Sequence, residues 1–268
     1  MTLQSDRKTA KIETIEIESG LHIVSPYPAA YLESQRALVV SDLHLGIESK
    51  FASSGVLIPS SIIRETIQSV LIPAKELGCK KVYILGDLKH EYGRPKESDW
   101  WSIRRFVGAL RGVGAEPVLI RGNHDRYVTT ILEYLKVDYS SSYANLDGFL
   151  LTHGHKRISL QRLDSEIKAV IIGHEHPAIS LQTELGGRGS KERFKIFLFV
   201  PGRKSRDPPV LVLPSVNPLS YGTEVNELSS GEFLSPYLKD RRLEHSKPYV
   251  LEVGELLLPF PELRNLRG

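Results

Sequence analysis

Seven side chains of this 268-residue chain are of types that bind divalent metal ions, and they fall in short motifs that end or follow apolar runs. Their donor atoms are imidazole nitrogens and carboxylate or amide oxygens, without a thiolate. Such a mixture suits borderline divalent cations such as Mn, Fe, Zn, Co or Ni, rather than Cu(I) or an iron–sulfur cluster. The joint pattern predicts a metal site. The seven residues are Asp42, His44, Asp87, Asn123, His153, His174 and His176.

Local spacing indicates how some of these groups could converge. Asp42 and His44 are two residues apart, and residues i and i+2 of a strand project to the same side. Gly86 would let the backbone turn sharply just before Asp87. The carboxylate of Asp87 has two oxygens and could therefore bridge two cations. The two histidines of the GHEH motif end an apolar run, where imidazoles without partners would be costly to bury.

The elements that must position these groups follow from alternating apolar runs and helical periodicity. Strands are predicted at 36–42, 80–87, 116–123, 148–154 and 169–176. Helices are predicted at 60–77, 97–110 and 127–135, and Pro73 is expected to kink or end the first of them. This order predicts an α/β fold with helices on a buried sheet. Every candidate ligand then lies at the carboxyl end of a strand, where open α/β sheets place their active sites.

The pattern changes after Pro177 to short strands separated by Gly- and Pro-rich turns. Strands are expected at 179–184, 193–200 and 209–215. Residues 218–268 are expected to form loops and strands that close the domain. The sequence contains neither an internal repeat nor a low-complexity linker, so a single domain is predicted over 1–268. Its motif core spans about 36–177, and its C-terminal strands and loops span 178–268.

Composition sets broad limits on location and partners. The net charge of +3 permits a nucleic-acid partner but does not require one. Cys79 is the single cysteine, so an internal disulfide cannot form, which favours a reducing, cytoplasmic setting. We interpret Cys79 as a packing residue rather than a nucleophile. No apolar stretch approaches the roughly 20 residues of a bilayer-spanning helix, so no membrane partner is expected.

The motifs DLH, GD, GNHD, HGH and GHEH together resemble those of the calcineurin-like metallophosphoesterase superfamily. The resemblance covers about residues 39–177. It implies an α/β fold (α+β in some schemes): a four-layer αββα sandwich of two mixed β-sheets flanked by helices. The form GDLKH, at Gly86–His90, and the segment LPSVNPLSYG at 213–222 further resemble an archaeal branch related to the bacterial phosphodiesterases associated with DNA ligase.

The resemblance also implies roles for individual residues. Asp42, His44 and His176 would hold one metal, and Asn123, His153 and His174 would hold the other. Asp87 would bridge the two metals. His124 would be the catalytic histidine that contacts the scissile phosphate without binding metal. Asp125 would be the catalytic partner that orients the ring of His124.

The activity implied by the resemblance is hydrolysis of phosphate esters with two divalent metal ions, Mn first among them. A metal-bridging hydroxide would attack phosphorus, and His124 would stabilise charge or protonate the leaving oxygen. A phosphodiesterase, with DNA or RNA as candidate substrates, is the first hypothesis. A phosphomonoesterase acting on nucleotides or phosphoproteins is the alternative. A metal-bound scaffold is a third hypothesis, against which the complete ligand set argues.

Four further residues are candidates for substrate binding. His90 and His155 lie beside the predicted ligands, where each could contact substrate or could be an ordinary loop histidine. Arg188 and Arg193 belong to a basic region after the GHEH motif. If that hairpin folded toward the metals, it would attract polyanions; otherwise it is a solvated surface. The oligomeric state is not determined by the sequence.

Overall fold

The first of two β-sheets contains the N-terminal half of the chain. The computed structural model describes residues 11–59, 61–160, 163, 166–185, 188–203 and 207–266. The first four strands pair antiparallel, whereas the fourth to seventh pair parallel. In spatial order the strands are β1 (Glu13–Glu18), β2 (Leu21–Ser25), β3 (Ala29–Leu32), β4 (Ala37–Ser41), β5 (Lys81–Leu85), β6 (Glu116–Ile120) and β7 (Asp138–Ser140).

Helices connect the parallel strands of this first sheet, as the alternating pattern predicts. Their bounds are α1 (Ile47–Ser53), α2 (Ser61–Glu76), α3 (Glu97–Gly112) and α4 (Thr129–Leu135). Helix α2 continues past Pro73, which is buried, so the expectation that this proline could end the helix is wrong. Buried Ile67, Val70 and Ala74 anchor the helix on both sides of the proline. This packing compensates for the hydrogen bond that proline cannot donate.

The second sheet is also mixed. Its spatial order is β15-β14-β12-β13-β10-β9-β8, with β11 paired to β12. Strands β9, β10 and β13 are parallel to one another. The bounds are β8 (Tyr143–Leu146), β9 (Phe149–Thr152), β10 (Ala169–Ile172), β11 (Ala178–Leu185), β12 (Arg188–Val200), β13 (Val210–Val212), β14 (Lys247–Glu252) and β15 (Leu256–Pro259).

Three apolar layers hold the structure together. Between the two sheets lie Ile23, Leu85, Leu151, Ile171 and Phe197, all at most 1% exposed. A second cluster fills the space between the first sheet and helices α2 to α4. A third covers the outer face of the second sheet, where the short helix α5 (Pro236–Lys239) packs. The predicted four-layer sandwich of two mixed sheets flanked by helices is therefore confirmed.

Two features of the fold bear on the composition arguments. Cys79 is buried in the cluster under the helices, and burial raises the pKa of its thiol to about 11. That environment agrees with a packing role and leaves little thiolate at neutral pH. Among the described residues, no helix has both the length and the hydrophobicity that crossing a bilayer requires.

Candidate metal centre

The seven predicted ligands converge at one end of the sandwich. In the first sheet they follow parallel strands: Asp42 and His44 come after β4, Asp87 after β5 and Asn123 after β6. In the second sheet His153 follows β9, while the two histidines of the GHEH motif follow β10. Parallel strands end at a common edge, so the carboxyl ends of both sheets bring their loops together.

Five of the seven predicted ligands have a left-handed backbone, a conformation that residues other than glycine rarely adopt. The φ angles are 56° at Asp42, 43° at His44, 50° at Asp87, 68° at His174 and 45° at His176. Strand β4 ends at Ser41, so the strand alternation invoked for Asp42 and His44 is the wrong explanation. Tight turns, rather than pleated strands, direct these side chains inward.

Among the described residues, three overlapping groups of His and Asp side chains lie close enough to hold metal ions. Within each group, the potential ligand atoms all lie within 4.8 Å of one another. The groups are Asp42 with His44 and His176; His44 with Asp87 and His124; and Asp87 with His153 and His174. Asp87 belongs to two of the three groups, so its carboxylate lies between the others. The sequence interpretation did not include His124 among the ligands, whereas the geometry places it beside them.

In the group around His44, donor atoms face one another at short range. The Nε2 atom of His176 lies 3.1 Å from Asp42 Oδ1 and 3.4 Å from His44 Nε2. His44 Nε2 in turn lies 3.9 Å from Asp87 Oδ2. Asp42 and Asp87 are almost completely buried. Buried carboxylates in this setting require a positive partner.

Around His153, acceptor atoms converge in the way that a cation requires. The Nδ1 atom of His153 donates to the carbonyl oxygen of Leu85 at 2.9 Å, because a carbonyl can only accept. In the neutral ring Nε2 is therefore an acceptor, yet it lies 2.9 Å from Asn123 Oδ1 and 3.4 Å from Asp87 Oδ1. In that tautomer the imidazole provides no hydrogen for either contact, so three acceptor atoms lie close together. A divalent cation would satisfy all three, so these residues fit a metal ion.

The electrostatics of the cluster favour neutral imidazoles, which is the form that binds metal. Burial lowers the pKa of His44 well below its usual value and lowers that of His174 to about 3. Burial, together with the carboxylates of Asp42 and Asp125, raises the pKa of Asp87 to about 9. Asp42 differs: burial opposes its ionisation, but the adjacent His176 holds its pKa below the usual value. A cation entering the site would displace the proton from Asp87.

The loop at 122–125 is fixed mainly by backbone contacts. The carboxylate of Asp125 is buried and accepts hydrogen bonds from the backbone nitrogens of Leu88 (3.1 Å) and Gly122 (2.9 Å). The ring of His124 has a different partner, because its Nδ1 atom donates to the carbonyl oxygen of His90. The described hydrogen bonds of Asp125 are therefore with the loop backbone, and that of the His124 ring is with His90. The implied role of Asp125 in orienting that ring stays a prediction.

A late segment of the chain supports the turn that contains Asp42 and His44. Ser215 donates from Oγ to the carbonyl oxygen of Asp42 at 2.7 Å, and Asn217 donates from Nδ2 to that of Leu43 at 2.9 Å. Asn217 is completely buried. This segment follows β13, which lies beside β10 in the sheet. Its position explains how residues about 170 apart in sequence share one site.

The same segment also holds His176 in place. Ser220 Oγ lies 2.9 Å from His176 Nδ1, which leaves Nε2 directed at the cluster. Gly222 packs directly on the backbone of His176, where a Cβ atom would come within 1.2 Å of its carbonyl oxygen. A larger residue could not occupy position 222 without displacing one of the two backbone segments. Sequence reasoning identified this segment only as family-like and did not identify these contacts.

Lys195 of β12 links this segment to the second sheet. Its ammonium donates to the carbonyl oxygens of Ser215, at 2.8 Å, and Asn217. Burial lowers the pKa of Lys195 to about 7, from an ordinary value of 10.5. Lys195 therefore stabilises the segment that in turn supports the candidate ligands.

The cluster opens into a cavity of about 370 Å³. Its floor contains candidate ligands and His124, and its rim contains Tyr92, Tyr221 and Leu234, which are 58%, 63% and 57% exposed. None of the described residues that line it is a lysine or an arginine. Any positive charge for an anionic ligand must therefore come from bound cations or from histidine.

Of the four residues predicted to bind substrate, His90, His155 and Arg193 have described side chains. Neither His90 nor His155 is among the described residues that line the cavity. The ring of His90 packs against His44, and the ring of His155 packs against His153. Arg193 forms an ion pair with Glu224, which offsets its charge.

Part of the basic region after the GHEH motif lies outside the described residues. The backbone of Arg188 begins strand β12, but its side chain lies outside the described part of the structure, as do Lys204 and Arg206. Both interpretations of this region, a polyanion-binding hairpin and a solvated surface, therefore stay predictions.

A solved structure shares this architecture. The chain superposes on the Pseudomonas putida nuclease MPE with a TM-score of 0.62 and 23% sequence identity, over 93% of this chain and 100% of that one. YfcE, a phosphoesterase from E. coli, matches with a TM-score of only 0.37 and 18% identity, over 67% and 79% of the two chains. No family model and no curated protein matches the sequence. The likeness to the nuclease establishes the four-layer fold that the sequence predicts.

Proposed function

We propose that this chain is a phosphoesterase that works with two divalent metal ions, and that its preferred substrates are phosphodiesters. The observation that carries the proposal is the convergence of buried acceptor atoms around Asp87, between two groups of histidines. We assign Asp42, His44 and His176 to one ion and Asn123, His153 and His174 to the other. Asp87 would contact both. Mn²⁺ is the first cation to test.

Two such cations, when bound, lower the pKa of coordinated water and neutralise charge on phosphate oxygens. The chain's own residues set the geometry for that chemistry. The contact between Ser220 and His176, and that between Leu85 and His153, keep each ring's Nε2 directed at the cluster. The backbone nitrogen of His124 donates to Asp87 Oδ1 at 3.1 Å, which fixes the carboxylate between its neighbours.

His124 is the residue we assign to the phosphate itself. Since its Nδ1 hydrogen is used by His90, its Nε2 atom is the one that remains for substrate, 3.6 Å from Asp87 Oδ2. Burial lowers the pKa of His124 to about 4, so the ring is neutral before substrate binds. A bound phosphate anion favours the protonated ring, which can then donate to a phosphate oxygen or to the leaving oxygen.

The lining of the cavity favours a diester over a monoester. A phosphomonoester is a dianion near neutral pH, and the described lining provides no lysine or arginine for its second charge. A diester has one charge and an organic group on each side of phosphorus. Tyr221 and Leu234 on the rim offer surfaces for such groups. A solved structure with this fold bears the name nuclease, so DNA and RNA are the first natural diesters to test.

The alternative activity uses the same residues on a phosphomonoester. A direct comparison of kcat/KM separates the two activities. The purified chain is assayed with added Mn²⁺ on bis-p-nitrophenyl phosphate and on p-nitrophenyl phosphate. We expect a higher kcat/KM on the diester and no turnover in EDTA. Faster cleavage of the monoester would establish the alternative, and metal binding without turnover of either would favour a scaffold.

Two further proposals concern the domain organisation and the location of the protein. We propose that residues 1–268 form one domain, because a single apolar layer joins the two sheets. We also propose a cytoplasmic location, since Cys79 has no second cysteine with which to form an internal disulfide.

A further inference from the structure

Tyr92 lies at the end of the segment that begins with Asp87, and it touches two residues of the proposed site. Its ring is stacked on that of His124, with centroids 3.6 Å apart and an angle of 30° between the planes. Its hydroxyl oxygen accepts a hydrogen bond from Asn123 Nδ2 at 3.1 Å. The side chain is 58% exposed, so core packing does not account for a tyrosine here. The sequence interpretation did not identify this residue.

The contact with Asn123 determines which end of the amide faces the metal cluster. An asparagine side chain has one acceptor end and one donor end. Tyr92 binds the donor end at the rim, and the acceptor, Oδ1, is thereby directed inward to 2.9 Å from His153 Nε2. Only the oxygen end of an amide can bind a cation. A hydroxyl that holds the nitrogen outward therefore prepares Asn123 as a ligand.

The stacking contact of Tyr92 restricts the tilt of the His124 ring. The hydrogen bond from Nδ1 to His90 fixes one edge of the imidazole but still permits the ring to tilt about that bond. A stacked aromatic ring on its face removes that tilt. The two contacts together determine where Nε2 points.

We propose that Tyr92 is a positioning residue with two separable parts: its hydroxyl orients the amide of Asn123 toward the metal, and its ring holds the imidazole of His124. This inference rests on the proposed function, because both residues are assigned there to metal and phosphate. We assign Tyr92 no contact with the reacting atoms.

Conservative variants separate the two parts. Tyr92→Phe removes the hydroxyl and keeps the ring, whereas Tyr92→Leu removes both. Tyr134, 66% exposed on α4, provides matched controls as Tyr134→Phe and Tyr134→Leu. Each protein is titrated with Mn²⁺ by calorimetry in the absence of substrate. The proton shifts of the His124 ring are measured by NMR on the metal-free protein, and kcat and KM are measured at saturating Mn²⁺.

Tyr92→Phe is expected to weaken binding of one Mn²⁺ by about 10-fold, as loss of a residue that orients a ligand does. Its His124 ring shifts should stay close to those of the native protein, and its kcat should be largely preserved at saturating metal. Tyr92→Leu should show the same loss of affinity. In addition, its His124 protons should move downfield as the ring current disappears, and its kcat should fall while KM changes little. Both Tyr134 variants should behave as the native protein does.

Native Mn²⁺ affinity in Tyr92→Phe, or unchanged His124 shifts in Tyr92→Leu, would overturn the corresponding half of the proposal. If the leucine variant does not fold, Tyr92→Met replaces it in the NMR experiment. The calorimetric and NMR measurements use no substrate. They therefore test Tyr92 even if the native protein hydrolyses no phosphate ester, a result that would reject the proposed function instead.

Discussion

His124 donates its Nδ1 hydrogen to the carbonyl oxygen of His90, which lies three residues beyond the central carboxylate of Asp87. One short segment therefore provides both the proposed bridging ligand and the group that orients the proposed catalytic ring. Movement of this segment would disturb metal binding and phosphate contact together. Substitutions that act on only one of the two are the ones that can separate these roles.

The first prediction concerns His124 itself. His124→Ala should retain both metal ions, because each proposed ion keeps all of its assigned ligands, and kcat on a diester should fall by roughly 10²–10⁴-fold. Elemental analysis of the purified variant, with steady-state kinetics, checks both parts. Loss of a metal ion in this variant would instead make His124 a ligand, as its position near His44 and Asp87 allows.

The second prediction tests the role of Asp125. Asp125→Ala leaves the backbone nitrogens of Leu88 and Gly122 without a buried acceptor, which should lower the free energy of unfolding by about 3 kcal/mol. Asp125→Asn keeps one acceptor oxygen and should lower it by less. Urea denaturation measures both. A variant with native stability and a large loss of kcat would instead support the role in orienting His124 that the resemblance implies.

The third prediction follows from the left-handed backbone at Asp87, where φ is 50°. Both Asp87→Ala and Asp87→Gly should lose metal and activity, because both remove the bridging carboxylate. Glycine adopts this conformation without strain, so in EDTA the glycine variant should be more stable than the alanine variant by about 1 kcal/mol. Equal stabilities would show that the turn relaxes once the carboxylate is gone, and two fully occupied metal sites would refute the bridging role.

The fourth prediction concerns pH. The folded pKa of Lys195, about 7, lies below its ordinary value of 10.5. Between these values the unfolded chain binds a proton at this lysine and the folded chain does not, so this residue makes stability rise with pH from about 7 to 10.5. Lys195→Met should remove that contribution. The free energy of unfolding is measured from pH 7 to 10 in EDTA.

The control for this experiment is Lys81→Met, at an exposed lysine that begins β5. Its stability should vary with pH as that of the native protein does. The difference between the native protein and Lys195→Met cancels the other titrating groups. Parallel stability curves for these two proteins would contradict the lowered pKa.

Sequence patterns were sufficient to predict an α/β fold and to place the candidate ligands at strand ends, and the family resemblance implied the four layers. Apolar runs that end in Asp, Asn or His are local signals, and parallel strands make those ends coincide. Contacts between distant segments gave no such signal. Nothing local to Ser215 or Asn217 indicates that they hold the turn at Asp42, because that contact depends on β13 lying beside β10. Tyr92 likewise resembles any exposed loop tyrosine until its neighbours are known.

Local patterns also failed where tertiary packing or turn geometry prevailed. The antiparallel strands β1 to β3 were not predicted, since they are short and interrupted by turns. Asp42 and His44 were assigned to a strand because the alternation rule applies to any extended segment, whereas the chain turns left-handed at both. The expectation for Pro73 neglected the apolar contacts on both sides of it.

The left-handed turns at five of the candidate ligands have an evolutionary consequence. At each of these positions the residue best suited to the backbone is glycine, and the residue best suited to a cation is aspartate or histidine. In a descendant that no longer needed its cations, substitution of these residues by glycine would therefore increase stability. Glycine at two or more of these positions would mark a lineage that had abandoned metal chemistry, even where the sandwich itself survived intact.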